Sequence, residues 1–162
     1  MGDFVAYWIS HQDKFLAALG EHLVIVGVVL VWSLAVAALI TLAIRRSRRV
    51  EGAVLQVLGA LYSVPSLALF SLLIPLTGLG LTSATIVMVA YNQFLLVRNI
   101  VEGLNGVDSG VVEAATGMGM SPMQVLLRVE LPLAFPVIMA GIRLAVISTI
   151  GIATIAATIN AG

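Results

Sequence analysis

Residues 52–97 read GAVLQVLGALYSVPSLALFSLLIPLTGLGLTSATIVMVAYNQFLLV, without a single Lys, Arg, Asp or Glu. A bilayer core about 30 Å thick is crossed by about 20 apolar residues at about 1.5 Å each. The stretch is too long for one crossing and suits two. Pro75, Thr77, Gly78 and Gly80 cluster in its middle, where Pro and Gly favour a turn. A hairpin is therefore expected, with one span over about 53–74 and the next over about 80–98. A second charge-free run, His22 to Ile44, predicts a span over about 22–44, and a fourth span follows Leu131-Pro132 and runs to about 154 (132–154). Within hydrocarbon every peptide group must bond inside its own segment, so all four should be helices. Pro65 removes one helical donor and is expected to kink the second span.

Composition supports this reading. Of 162 residues, 60% are hydrophobic and only 10% charged, and the mean hydropathy is +1.13. That charged share is too small to cover the surface of a compact water-soluble domain. Net charge is zero, and nothing suggests a nucleic-acid partner, which would need a basic face. With no cysteine there is no disulfide framework, thiolate metal site or catalytic thiol. His11 and His22 stand alone, with no second ligand at a metal-binding spacing. Residues 1–21 carry Asp3, Asp13 and Glu21 against a single Lys14, unlike a secretory signal. Phe4, Trp8, Phe15 and Leu19 fall near one face at helical spacing, and Tyr7 and Trp8 suit the headgroup layer. Residues 1–21 thus read as an external amphipathic helix.

Arg45, Arg46, Arg48 and Arg49 follow the first span directly. Basic residues stay cytoplasmic. This puts the N-terminus outside, residues 45–52 inside, the 75–80 turn outside and residues 99–131 inside. Arg98 and Arg128 flank the last segment and agree. Contact of the arginines with anionic lipid is compatible with this topology.

Residues 99–131 accommodate two short helices. Asp108 or Ser109 can cap the first, Glu113 lies in or near its first turn, where the helix dipole favours a negative charge, and Gly117 and Gly119 can end it. Ser121 can cap the second, with Pro122 at its first position and Gln124 completing a capping box, and Pro132 limits its far end. The apolar faces, Val111, Val112 and Ala115 on one helix and Met123, Leu126 and Leu127 on the other, either pack back on the spans or seek a partner groove.

Within this loop, Glu113-Ala114-Ala115, three residues, Gly119, nine residues and then Val129-Glu130-Leu131-Pro132 resemble the EAA motif of binding-protein-dependent ABC importer permeases, Glu-Ala-Ala, three residues, Gly, nine residues, Ile-x-Leu-Pro. Val129 for Ile is the departure. Pro65 through Phe70, Leu73 through Gly78, Tyr91-Asn92, Val97-Arg98-Asn99, Glu113 through Met120 and Leu131 through Arg143 further resemble the glycine betaine/carnitine/choline osmoprotectant subgroup. The resemblance implies an all-α membrane protein with the type I ABC importer transmembrane domain, a MetI-like helical bundle, over residues 22–162. It implies that the loop is a coupling helix docked in a cytoplasmic ABC ATPase through Glu113, Ala114, Ala115, Gly119, Met120, Ser121, Pro122, Leu131 and Pro132. The implied partners are that ATPase, a second permease copy or a sister permease, and an extracytoplasmic solute-binding protein, separate or fused, in a bacterial cytoplasmic (inner) membrane. ATP and Mg would sit on the ATPase, with no cofactor on this chain.

The chain itself has no Walker-type glycine loop, no metal cluster and no paired catalytic carboxylates. Tyr91, Asn92 and Gln93, inside the third span, either line the solute pathway or bridge helices. Arg143, the one charge in the fourth span, is a further pathway candidate or snorkels to the cytoplasmic surface. Related solutes such as ergothioneine, or an amino acid, are alternatives for the cargo. An ion-coupled secondary transporter is the rival class, and it would place acidic residues within the spans; none is there. The family core has five helices, so the four spans found here are expected to be a fragment lacking the fifth helix, with a naturally short protein as the alternative.

Overall fold

A computed structural model describes residues 10–156. Among these residues every regular element is helical: α1 (Gln12–Ile44), α2 (Arg48–Ser63), α3 (Ser66–Thr77), α4 (Leu81–Asn105), α5 (Ser109–Gly117), α6 (Pro122–Val125), a π-helical turn (Leu126–Glu130) and α7 (Leu131–Ala156). α1, α4 and the run Pro122–Ala156 are each long and apolar enough to cross a membrane. Phe4, Tyr7 and Trp8 of the expected amphipathic helix lie outside the described residues. The expected boundary near residue 21 is absent, because α1 runs unbroken from Gln12 for 33 residues. Neither Gly nor Pro is paired there to break it, and its length of about 50 Å exceeds the hydrocarbon thickness.

The second apolar segment is broken rather than kinked. α2 and α3 meet at 92°. Pro65 forces its predecessor out of the helical region, and Val64 sits at φ −72°, ψ 132°. Pro65 then starts α3 as its N-cap. The sequence placed Pro75 in the following turn, but α3 carries Pro75 inside it and continues to Thr77. Gly78 (φ 80°) and Gly80 (φ 119°) make the turn instead, in backbone regions that suit glycine. Pro132 likewise fails to stop the second loop helix. The preceding turn is π-helical, with the Leu131 N–H bonded to the Leu126 carbonyl. That wider turn spans the residue-128 carbonyl that a proline ring at 132 would otherwise strike, so Pro122–Ala156 is one continuous helix.

α4 is the hub. It packs on α1, α2, α3 and most extensively on α7, and half of its membrane window is buried, against 28% for α1. Small residues make the close approach. On α1, Ser33, Ala37 and Thr41 recur every fourth position and are buried; on α7, Gly141, Ala145, Thr149 and Ala153 do the same. A Cβ at Gly141 would stand 2.5 Å from Asn99 Cβ, and one at Gly103 would stand 3.2 Å from Ala134 Cβ. Substituting Gly141→Ala should therefore push α4 and α7 apart and cost about 1–3 kcal/mol, read as a lower thermal midpoint of the purified protein in detergent. Gly151→Ala, with open space around it, should not lower that midpoint and should raise it slightly through helix propensity.

Candidate functional site

Two constellations stand out: the elbow formed by α5 and α6, and a polar layer in the middle of the bundle.

In the elbow, Asp108 rather than Ser109 is the cap. Its Oδ1 accepts from Gly110 N at 2.8 Å and Val111 N at 3.3 Å. Glu113 thus falls beyond the first turn, which holds no acidic residue. The dipole interaction decays within one turn, so local helix stabilisation does not account for Glu113. At the other end Gly119 N bonds to Thr116 O (2.9 Å) and Met120 N to Ala115 O (3.3 Å), with Gly119 at φ 85°. This pair of bonds closing on a left-handed residue is a Schellman ending. Ser121 opens α6 with the capping box expected from the sequence. Its N–H donates to Gln124 Oε1 at 2.8 Å, and Gln124 N donates to Ser121 Oγ at 3.4 Å. Four residues, 118–121, therefore join two fully capped helix ends.

The apolar residues of the elbow divide. Ala115, Val125 and Leu126 are buried, while Val111, Met118, Met123 and Leu127 are exposed, Met118 to 74%; α5 packs on α6 and on the π turn. Glu113, Ala114, Gly119, Ser121, Pro122 and Pro132 are exposed with them, and Met120 and Leu131 are half-buried. A Cβ at Gly119 would meet nothing within 4 Å. The glycine is required there by its backbone angle, not by crowding.

The polar layer lies between two apolar ones. One layer contains Val29, Met88 and Ile152; the other contains Ala37, Leu96 and Ala145. Between them Asn92 is fully buried, and its Nδ2 donates to Ser33 Oγ (3.1 Å) and Thr149 Oγ1 (2.8 Å). Thr149 Oγ1 donates in turn to Ala145 O at 2.7 Å. One side chain thereby ties α1, α4 and α7. Gln93 Nε2 donates to Val89 O at 2.8 Å and to Ser33 O at 3.4 Å. The Tyr91 hydroxyl donates to the Val64 carbonyl at the α2–α3 break, one of the carbonyls that Pro65 leaves near the bend. Tyr91 and Asn92 are thus engaged in bridging helices. The side-chain oxygens of Asn92 and Gln93 are both buried without a partner among the described residues; Gln93 alone of the three borders a cleft of about 420 Å³, with Trp32, Val36, Thr85 and Ile86. Arg143 is exposed on α7 and forms no ion pair with a described residue. It stands about 20 Å along the helix from Glu130, too deep for its side chain to reach the Arg45 end of the bundle.

Sequence reasoning did not single out Ser33, Thr149, Thr41, Glu51 or Glu130. The first three lie on the stripes of small residues four apart, which is the signal that marks a helix–helix face.

Residues 30–162 match the family of binding-protein-dependent transport system inner membrane components. The glycine betaine/carnitine/choline transport system permease protein OpuCB of Bacillus subtilis is 34% identical over 162 residues, all of this chain and 75% of the relative. The carnitine transport permease protein OpuCB of Listeria monocytogenes is 35% identical over 162 residues, covering 100% and 74%. The ergothioneine transport permease/ergothioneine binding protein of Helicobacter pylori is 43% identical over 108 residues, covering 67% of this chain and 20% of that protein. Among solved structures, the inward-facing MetNI methionine ABC transporter superposes with a TM-score of 0.80 at 20% identity, over 91% of this chain and 74% of that one. That likeness establishes the fold: the type I importer transmembrane bundle expected from the sequence.

Asn92→Ala should remove both interhelical bonds and lower stability by about 1 kcal/mol, in the range measured for such bonds inside membranes. Thermal unfolding in detergent checks this. A solute-lining role would instead leave stability intact and change the apparent affinity of uptake.

Proposed function

The chain belongs to the binding-protein-dependent transport system inner membrane components, and from that premise we propose that it is the permease subunit of an ATP-driven importer for quaternary ammonium and betaine-type solutes, among them glycine betaine, carnitine and choline. The elbow carries the reading. A helix of nine residues has little stability of its own in water, yet this one is capped at both ends and presents an apolar and acidic face away from the bundle. Such a face suits a groove on a partner. A cytoplasmic ATPase closing on ATP would push on that face. Glu113 offers its carboxylate to a basic residue of the partner, Ala114 permits close approach, and Gly119, Met120, Ser121 and Pro122 hold the angle between the helices. Leu131 and Pro132 carry the push into α7.

On this reading the subunit binds no cofactor and does no covalent chemistry; ATP and Mg belong to the ATPase, and an extracytoplasmic binding protein, separate or fused, delivers the solute. The arginines at 45–49 face the cytoplasm and the N-terminus lies outside, in keeping with the retention of basic residues on the cytoplasmic side. Two permeases, identical or sister chains, enclose the pathway. Arg143 at mid-membrane depth and Gln93, which borders the cleft beside Trp32, are the residues we assign to its lining. Solutes of the betaine class are favoured by relatives aligned over this whole chain. Ergothioneine, itself a betaine, is the second reading, favoured by the higher identity over a shorter stretch.

Binding of these solutes to the partner binding protein, measured calorimetrically, separates the two cargo readings; micromolar binding of ergothioneine with none of glycine betaine or choline would overturn the first. For the elbow, Gly119→Val should strain the left-handed residue by about 1–2 kcal/mol, leaving insertion intact while uptake per ATP hydrolysed falls. Gly119→Asn, which tolerates that backbone region, should retain most coupling. Normal transport by the valine variant in reconstituted vesicles would refute the assignment.

A further inference from the structure

Between α1 and the elbow lies an apolar cleft of about 360 Å³, with Leu34, Ala38 and Leu42 on one side and Met123, Leu126 and Leu127 on the other. Across this gap an ion pair closes at one end. Arg45, the first residue after α1, donates through Nη2 to Glu130 Oε2 at 2.9 Å. Glu130 is the last residue of the π turn, 85 positions away. The two side chains are only 32% and 15% exposed. They border a cavity of about 110 Å³ together with Thr41, Glu51 and Asn105. Glu51, 6% exposed, accepts from Asn105 Nδ2 at 3.2 Å and lies 3.8 Å from Arg48 Nη1. Its charge is thus matched on its own side, leaving Arg45 to Glu130.

The location matters for motion. α1 packs more extensively on α4 than on α7, the helix continuous with the elbow, and an apolar cleft parts it from Met123 and Leu127, so packing alone passes a shift of the elbow to α1 only weakly. A directional, partly buried ion pair resists separation better than the side chains lining the cleft. We propose that Arg45 and Glu130 are positioning residues for transport: their ion pair makes α1 follow the elbow. The proposal rests on the elbow being the ATPase-docking element.

The test uses the assembled importer, with its ATPase and binding protein, in vesicles, reading solute uptake and ATP hydrolysis together. Glu130→Gln keeps the shape and removes the charge. Expected is normal co-purification of the ATPase, hydrolysis within about twofold of the parent, and uptake per ATP lowered about fivefold or more. Arg45→Glu should do the same, and Arg45→Glu with Glu130→Arg should restore uptake per ATP to within about twofold. A merely structural pair would lower the thermal midpoint and leave the uptake-to-hydrolysis ratio unchanged. An unchanged ratio in Glu130→Gln, or single losses that the exchanged pair does not recover, would overturn the proposal. If the ATPase fails to associate even with the parent chain, the docking reading falls instead, and the proposal with it.

Discussion

In hydrocarbon, apolar surfaces gain little from meeting one another, because lipid tails serve them equally well. The rotation of one helix against another is then set by close fit of small residues and by polar bridges. In this chain both act on α4. Ser33, Ala37 and Thr41 on one flank and Gly141, Ala145 and Thr149 on the other admit its backbone closely. Asn92 reaches both flanks at once. Turning α4 by one residue would put Tyr91 or Gln93 where Asn92 now bonds and would part the Asn92 amide from both hydroxyls, which costs far more in lipid than in water. The packing of α1 and α7, and hence the place where the elbow leaves the membrane, follows from that register.

The elbow has a complementary logic. Its angle is held by short-range bonds that do not depend on the bundle: Asp108 on its own helix, the Schellman closure at Gly119, and the reciprocal Ser121–Gln124 pair. Its two helices are held to each other and to the π turn around the buried Ala115, Val125 and Leu126. A unit that is stiff within itself leaves Val111, Glu113 and Met118 exposed, the side that the proposed function gives to a partner.

What the sequence disclosed and what it withheld divide along the same line. Caps, the Ser121–Gln124 box and the Gly119 turn involve residues within five positions of each other, and the residue types name the geometry. The long apolar helices α1 and α4 were legible from missing charges, since lipid excludes charge whatever the fold. Pro65 announced a disturbance, but whether a proline kinks or breaks a helix depends on what receives the freed carbonyls, and Tyr91, distant in sequence, takes the one from Val64. Pro132 was misread for a related reason: a π turn absorbs the ring, and π turns leave no local signature. Arg45 and Glu130 were read as a topology marker and a motif filler, because nothing in a linear chain brings positions 85 apart together. The buried side of Tyr91 and Asn92 was open for the same cause.

The continuous helix from Pro122 to Ala156, 35 residues long, has a mechanical meaning. It extends about 50 Å at about 1.5 Å per residue, and its irregular points, the π turn and Pro136 inside α7, lie toward the elbow end. A pivot near one end of a long arm multiplies displacement: a tilt of about 5° at the π turn moves the far end by about 4 Å, roughly the width of a methyl group. On the proposed reading, a small rearrangement at the elbow would thus be enlarged at the opposite end of α7 to the scale of a small solute's groups.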